Sequence, residues 1–285
     1  MNRFFLKNIN SPKQAFACLG DIYKFFLSCP YNEVILDFSR VRWIESHFSA
    51  LLFAIEILCN DNDKKIVYDE LTSNVRDVFE RIGLLRSDSS CERNVRNIIP
   101  LKFFNVEDEN SSREFAKYTE INFCRILSIS EVSVVLENIR DEILDGMNEL
   151  FSNAELHAKA ERGIVTAGQF FPKKKKFDFV IVDLGIGFQE CIQNSKRIDD
   201  PSFSITPSAA IEWGFQDGNT TRRGDIPGGL GLKSLKSFIV KNRGALSVFS
   251  HGGFWSYTKG TTEKVEMECN LPLTVIVVEV KTDKI

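Results

Sequence analysis

One stretch constrains the fold more than any other. Between residues 131 and 158 the apolar side chains Val132, Val135, Leu136, Ile139, Ile143, Met147, Leu150, Phe151 and Ala154 recur at three- to four-residue intervals, which is the period of a single amphipathic helix. Such a helix must bury its apolar stripe against another layer. Strand-like runs at 163–171 and 177–183 follow directly, and a helix near 231–242 comes after a glycine-rich segment. LSVFS, KVEMEC and LTVIVVEV then read as further strands. The expectation for residues 115–285 is an α/β sandwich whose sheet is mostly antiparallel.

The first hundred residues carry a different pattern. VILDF (34–38) is a short apolar, β-branched run and reads as a buried strand. A helical period begins at Ser46, a candidate N-cap, and runs to Cys59. KKIVY (64–68) is a second strand, and Val75, Val78, Phe79 and Ile82 share one helix face that Gly83 closes. Alternating strand and helix predicts a small α/β unit over residues 1–104. Residues 105–114 (NVEDENSSRE) are polar and aperiodic, so they are expected to be a linker that lets the halves fold separately. A chain of 285 residues also sits where one core usually gives way to two.

Composition narrows the function classes. A net charge of -3 supplies no broad nucleic-acid footprint, so nucleic acid is not an expected partner. The seven cysteines are scattered and never form a Cys-x-x-Cys pair, which argues against a disulfide framework and against a zinc site. No signal-peptide core opens the chain, and the richest apolar stretch, 48–59, is too short to span a bilayer and is broken by Glu56. A cytoplasmic location without membrane attachment is the expectation. Lys173–Lys176, lying between two strand-like runs, reads as a solvated hairpin tip.

Three segments of the second half carry chemistry. In ELFSNAELHA, Glu149, Asn153 and His157 are spaced four residues apart and share a helix face. An amide oxygen there can hold a hard Mg²⁺ ion, and a carboxylate can orient an attacking water or hydroxyl. In DFVIVDLGIGF an apolar strand ends in Asp183, followed by Gly185 and Gly187. A strand-end carboxylate can accept the exocyclic amine of adenine, and glycines permit close approach of the backbone. In PGGLGLKSLKSF, Gly228, Gly229 and Gly231 precede a helix that begins with Leu232. Backbone amides at a helix start favour phosphate oxygens. Each segment alone is a weak signal, since surface helices, Asp-Gly turns and glycine loops are common.

Their fixed order is more specific. A helix with Glu/Asn, a strand with Asp-x-Gly-x-Gly, and a glycine-rich loop before a helix resemble the N, G1 and G2 boxes of the GHKL (gyrase/histidine-kinase-type) ATPase superfamily. The likeness covers roughly residues 120–285 and is nearest to anti-sigma-factor serine-kinase-like ATP-binding proteins. It implies a Bergerat-type α/β sandwich. Glu149 would be its base, Asn153 its Mg²⁺ ligand, Asp183 its adenine contact, and Gly185, Gly187, Gly228, Gly229, Gly231 and Leu232 its nucleotide cradle. FQDGNTTRRGD would be the lid over the nucleotide, with Thr221, Arg222 and Arg223 reaching the β- and γ-phosphates. Pro227 stands where sensor kinases commonly have the first glycine of the G2 box. The first hundred residues resemble a STAS domain. Asp37-Phe-Ser39 fits its first motif, and Glu45-Ser46-His47-Phe48 occupies the place of its phosphoacceptor box.

The resemblance implies an ATP-binding regulatory protein that hydrolyses ATP slowly with Mg²⁺ and couples this to a conformational switch, acting on a protein partner or as a homodimer. A protein serine kinase acting on a STAS-type partner or on its own N-terminal unit is one alternative. A non-catalytic, ATP-sensing scaffold is the other. A phospho-histidine mechanism does not fit, because His47 has no acidic residue directly after it and His251 lies among turn residues.

Overall fold

A computed structural model describes residues 2–45, 47–85, 96–129, 137–156, 158–216, 218–219, 221 and 231–282. Two sheets organise them. Strands β1 (Arg3–Phe5), β2 (Glu33–Asp37) and β3 (Lys65–Asp69) form a parallel sheet in the order β1-β2-β3. Helices α1 (Pro12–Ser28), α2 (His47–Asn60) and α3 (Ser73–Ile82) accompany it. The sequence accounts for these elements locally. Ser11 caps α1 through its side chain with Pro12 at the first position. Gly83 ends α3 in the left-handed conformation at φ 94°.

The larger sheet has seven strands in the order β4-β5-β6-β10-β7-β8-β9, and each neighbouring pair is antiparallel. Its strands are β4 (Ile98–Phe104), β5 (Ile164–Phe171), β6 (Lys176–Asp183), β7 (Ala245–Ser250), β8 (Gly253–Thr258), β9 (Thr261–Glu266) and β10 (Thr274–Lys281). Helices α4 (Ser111–Leu127), α5 (Arg140–Leu156), α6 (Gly187–Lys196), α7 (Pro207–Gly214) and α8 (Gly231–Lys241), with a 3-10 turn at Pro172–Lys174, complete the described elements. The chain is therefore mixed α/β, as the sequence pattern indicates.

Period-two alternation divides the central strands between two cores. Phe177, Phe179 and Ile181 of β6, with Ile276, Val278 and Val280 of β10, face a core shared with α4, α5 and α8. Phe115 and Phe151 stack there with ring centroids 4.3 Å apart. Val180, Val182, Val275 and Val277 point the other way, into a core shared with α1, α2 and α3. The large sheet is thus covered on both faces, which explains why β6 and β10 read as nearly unbroken apolar runs rather than as alternating ones.

Several expectations change here. Residues 98–104, expected in the N-terminal unit, form β4 and pair with β5 of the large sheet. The expected linker is shorter than 105–114, because α4 begins at Ser111. Its apolar residues Phe115, Phe123 and Ile126 come only after a polar first turn, which hides the helical period. The halves are also joined by packing: α1 and α2 bury one face of the large sheet, and α2 contacts both β5 and β6. A Cβ on Gly20 of α1 would overlap the Cys269 side chain, so this contact is close enough to require glycine. The long helix is found at Arg140–Leu156, and its expected first turns at 131–136 lie outside the described residues. Three of the four lysines at 173–176 are exposed, but Lys176 is buried and bonded to Asp178 and Glu279. That is a correction to the solvated-tip reading, and the cause is strand alternation, which turns Lys176 and Asp178 to the same inner face.

Candidate functional site

The second half contains a cleft on the α5 side of the large sheet. Helix α5 forms one wall through Leu150 and Asn153; β6 and β10 form the floor through Ile181, Asp183, Thr274 and Ile276. Helix α6 contributes Phe188, Cys191 and Ile192, and Trp213, Thr221 and Leu232 close the far side. The lining is mostly apolar, with Asn153, Asp183, Asn219, Thr221 and Thr274 among its polar members.

Asp183 is the last residue of β6. It lies in register with Ile164 on β5 and with Thr274 on β10, so the sheet fixes the carboxylate from both sides. Its Oδ1 accepts the Gly185 amide at 3.1 Å, and the Thr274 hydroxyl bonds to it as well. Thr274 Oγ1 is also 3.0 Å from Ser250 Oγ, which accepts the Phe188 amide at 3.1 Å. Burial pushes the Asp183 carboxyl up to about 7, against the pull of the two hydrogen bonds. A carboxyl poised near neutrality on the floor of an apolar cleft is a recurrent mark of functional sites.

The glycines after Asp183 answer to the chain's own packing. A Cβ on Gly185 would overlap the backbone carbonyl of Ala158, whose oxygen accepts the Ile186 amide at 2.7 Å. Gly187 adopts φ 73°, where L side chains are strained, and a Cβ there would lie 2.7 Å from Ser250 Oγ. His251 Nε2 lies 3.0 Å from the Gly185 carbonyl oxygen, and burial pushes the imidazole below its ordinary value. The sequence reading assigned these glycines to close ligand approach; here the close approach is between segments of the chain, and it shapes the turn that carries Asp183.

On α5, Asn153 donates its amide to Glu149 Oε1 at 3.3 Å, as the four-residue spacing predicts. The bond engages the amide nitrogen and leaves the amide oxygen to accept or coordinate. Asn153 lines the cleft, whereas Glu149 lies one helical turn away and touches it through Asn153. Thr221 is held against α6, its carbonyl accepting the Ser195 hydroxyl at 3.3 Å. Gly231 begins α8, with Leu232 in the cleft wall.

Of the residues singled out in the sequence, Asn153, Asp183, Gly187, Thr221 and Leu232 line one cleft, and Glu149, Gly185 and Gly231 adjoin it. Arg222, Arg223, Gly228, Gly229, Pro227, His157 and Ser46 lie outside the described residues. Sequence reasoning missed Thr274, Ser250 and Trp213. The first two are brought to Asp183 by strand register, which leaves no local mark. Asp37 and Ser39 close a turn at the end of β2, Ser39 bonding Asp37 Oδ1 through its amide at 2.9 Å, and Arg3 pairs with both Asp37 and Asp69. Among the described residues no helix is long and apolar enough to cross a membrane. Comparison with known proteins finds no matching family model, no matching curated protein and no matching solved structure.

Proposed function

We propose that the cleft binds ATP and that the protein is a nucleotide-dependent regulator with slow Mg²⁺-assisted hydrolysis. One observation carries this reading: residues chosen from three separate sequence motifs, Asn153, Asp183 and Leu232, come together in the walls and floor of a single cleft. In this account the large-sheet unit is a GHKL-type ATPase domain and the first hundred residues are a STAS-like companion.

Each residue then has a defined task. Asp183 accepts the adenine amine, held in place by Gly185 and Thr274. The apolar floor of Ile181 and Ile276 takes the face of the base. Thr221 and the start of α8 meet the phosphate end, where free backbone amides favour anionic oxygen. The Asn153 amide oxygen would hold Mg²⁺, a hard cation suited to one neutral oxygen ligand plus phosphate and water. The ion supplies charge neutralisation on the phosphates. Glu149 polarises the water that attacks the γ-phosphate, cleaving the β,γ-bridging bond and passing the proton to the carboxylate. Its bond to Asn153 and its place outside the cleft lining mean that it must reorient first, which supports slow turnover.

The packing supports a switch as well. Strands β6 and β10 carry Asp183 and Thr274 on the cleft side and touch the α1–α2 layer on the other, through Val180, Val182, Val275 and Val277. A change in cleft occupancy therefore has a short packed route to the N-terminal unit.

The test is incubation of the full chain with γ-labelled ATP and Mg²⁺, following free phosphate and protein-bound label together. Slow release of free phosphate with unlabelled protein is the expected result. Label accumulating on protein would replace hydrolysis with a kinase activity, and neither signal would leave only a nucleotide sensor.

A further inference from the structure

On the opposite face of the large sheet from the cleft, three ligating side chains meet. Glu45 and His47 come from the segment entering α2, and Asp178 comes from the middle of β6. One nitrogen of His47 and one carboxylate oxygen from each acid all lie within 4.8 Å of one another. His47 Nδ1 is 3.4 Å from Glu45 Oε2. His47 and Asp178 are 6% and 2% exposed, and His47 Nδ1 and Asp178 Oδ1 are buried without any hydrogen-bond partner. Buried polar atoms are normally paired, so two orphans within one three-residue cluster point to a missing occupant.

We propose that Glu45, His47 and Asp178 bind a divalent transition-metal ion, of which Zn²⁺ is the natural probe, and that this ion fastens the N-terminal unit to the large sheet. The donor set is an imidazole nitrogen and two carboxylate oxygens, which suits zinc with water in the fourth position. Imidazole makes the site a poor one for Mg²⁺ or Ca²⁺. Zinc–ligand bonds of about 2.0–2.1 Å place tetrahedral donors about 3.3 Å apart, and the His47–Glu45 pair is already at 3.4 Å.

The surroundings orient the ligand atoms. Lys176 bonds to the other carboxylate oxygen of Asp178, Oδ2, at 2.8 Å and to Glu279 Oε2 at 2.9 Å. It therefore orients Asp178 with Oδ1 left for the ion, the arrangement of an outer-shell partner. Lys174 lies 3.5 Å from Glu45 Oε1 and over the Trp43 ring. Three carboxylates, Glu45, Asp178 and Glu279, are matched by three ammonium groups, Lys174, Lys176 and Lys281, so it is the two unpaired ligand atoms, and not net charge, that point to an ion. An open pocket lined by His47, Asp178 and Glu279 gives the ion and its water a way in. The cysteine pattern that argued against zinc bears on thiolate ligands, and this site uses none.

The test uses the full, tag-free chain stripped with a chelator and then titrated with Zn²⁺, without nucleotide, so its outcome is independent of the ATP reading. Calorimetry should show one ion per chain, and the melting temperature should rise with free Zn²⁺ as mass action requires. Co²⁺ in place of Zn²⁺ should give the visible absorption of a tetrahedral site. Glu45→Gln and His47→Gln should each weaken binding more than tenfold and abolish the melting shift. If His47→Gln does not fold, the half-buried Glu45→Gln carries the comparison alone. A folded parent that takes up no Zn²⁺, or Glu45→Gln binding it as tightly as the parent, would overturn the proposal.

Discussion

Replacing Phe16 with alanine tests whether the two halves share one core. Phe16 is fully buried on α1, and its ring lies 5.4 Å from Phe249 of β7 and 6.0 Å from Phe254 of β8. It reaches from the N-terminal unit onto the large sheet. Deleting a buried Phe ring removes its transfer free energy and leaves a cavity that the surroundings fill only in part, at a cost of about 3–5 kcal/mol. For a chain of this size an m-value of about 3 kcal/mol/M in urea moves the unfolding midpoint down by about 1–1.7 M. The assay is equilibrium urea unfolding followed by far-ultraviolet circular dichroism and by tryptophan fluorescence. In a Trp43→Phe background the remaining tryptophans, Trp213 and Trp255, report on the second half alone. One cooperative transition in both probes, shifted equally by Phe16→Ala, is expected. If the Trp213/Trp255 signal kept its parent midpoint while circular dichroism lost an early fraction, the shared-core reasoning would be refuted.

Other consequences follow from the site. Glu149→Gln should bind Mg-ATP nearly normally and lose about 10²- to 10⁴-fold in turnover; steady-state phosphate release checks this, and unchanged turnover removes Glu149 from the chemistry. Gly185→Ala should cost about 1–3 kcal/mol, because the added methyl meets the Ala158 backbone; an unchanged melting temperature would contradict that geometry. Raising Asp183 to about 7 favours the neutral acid in the free protein. On the proposed reading ATP would meet the ionised acceptor, so affinity should fall up to about tenfold per pH unit below 7 and level off above it, with proton release on binding near pH 6. For the free fold the sign is opposite. The stability from this group is fully present below the unfolded value of about 3.9 and is lost as pH rises through about 7. Thermal melts of parent and Asp183→Asn from pH 5 to 8 compare the two; parallel curves would rule the titration out.

How much the sequence reveals depends on where each signal resides. Helices α2, α3, α5 and α8 and strands β2, β3, β5, β6 and β10 lie close to their expected ranges, because each carries its own apolar period. Strand β4 is not legible: Pro100 interrupts it, and it is defined by pairing with β5 across residues 105–163. Strand β9 lies at the sheet edge with mostly exposed side chains and ends at Glu266, short of the expected KVEMEC run. In the cleft, Asn153 and Asp183 were visible as a helix stripe and a strand end. Thr274 and Ser250 were not, since antiparallel register alone brings them to Asp183. Asp178 does leave a local mark: an acid inside an apolar strand needs a cationic partner, and Lys176 two residues earlier is that partner.

The central claim, that this cleft recognises adenine through Asp183, is tested most directly by equilibrium binding of ATP and GTP to the full chain and to Asp183→Ala. Losing the acceptor leaves the base amine unpaired in a closed site, at a cost of about 1–3 kcal/mol. The parent should prefer ATP, and the variant should bind ATP about 5- to 150-fold more weakly with a smaller preference over GTP. Equal ATP affinity in parent and variant, or no ATP binding by the folded parent, would contradict the account.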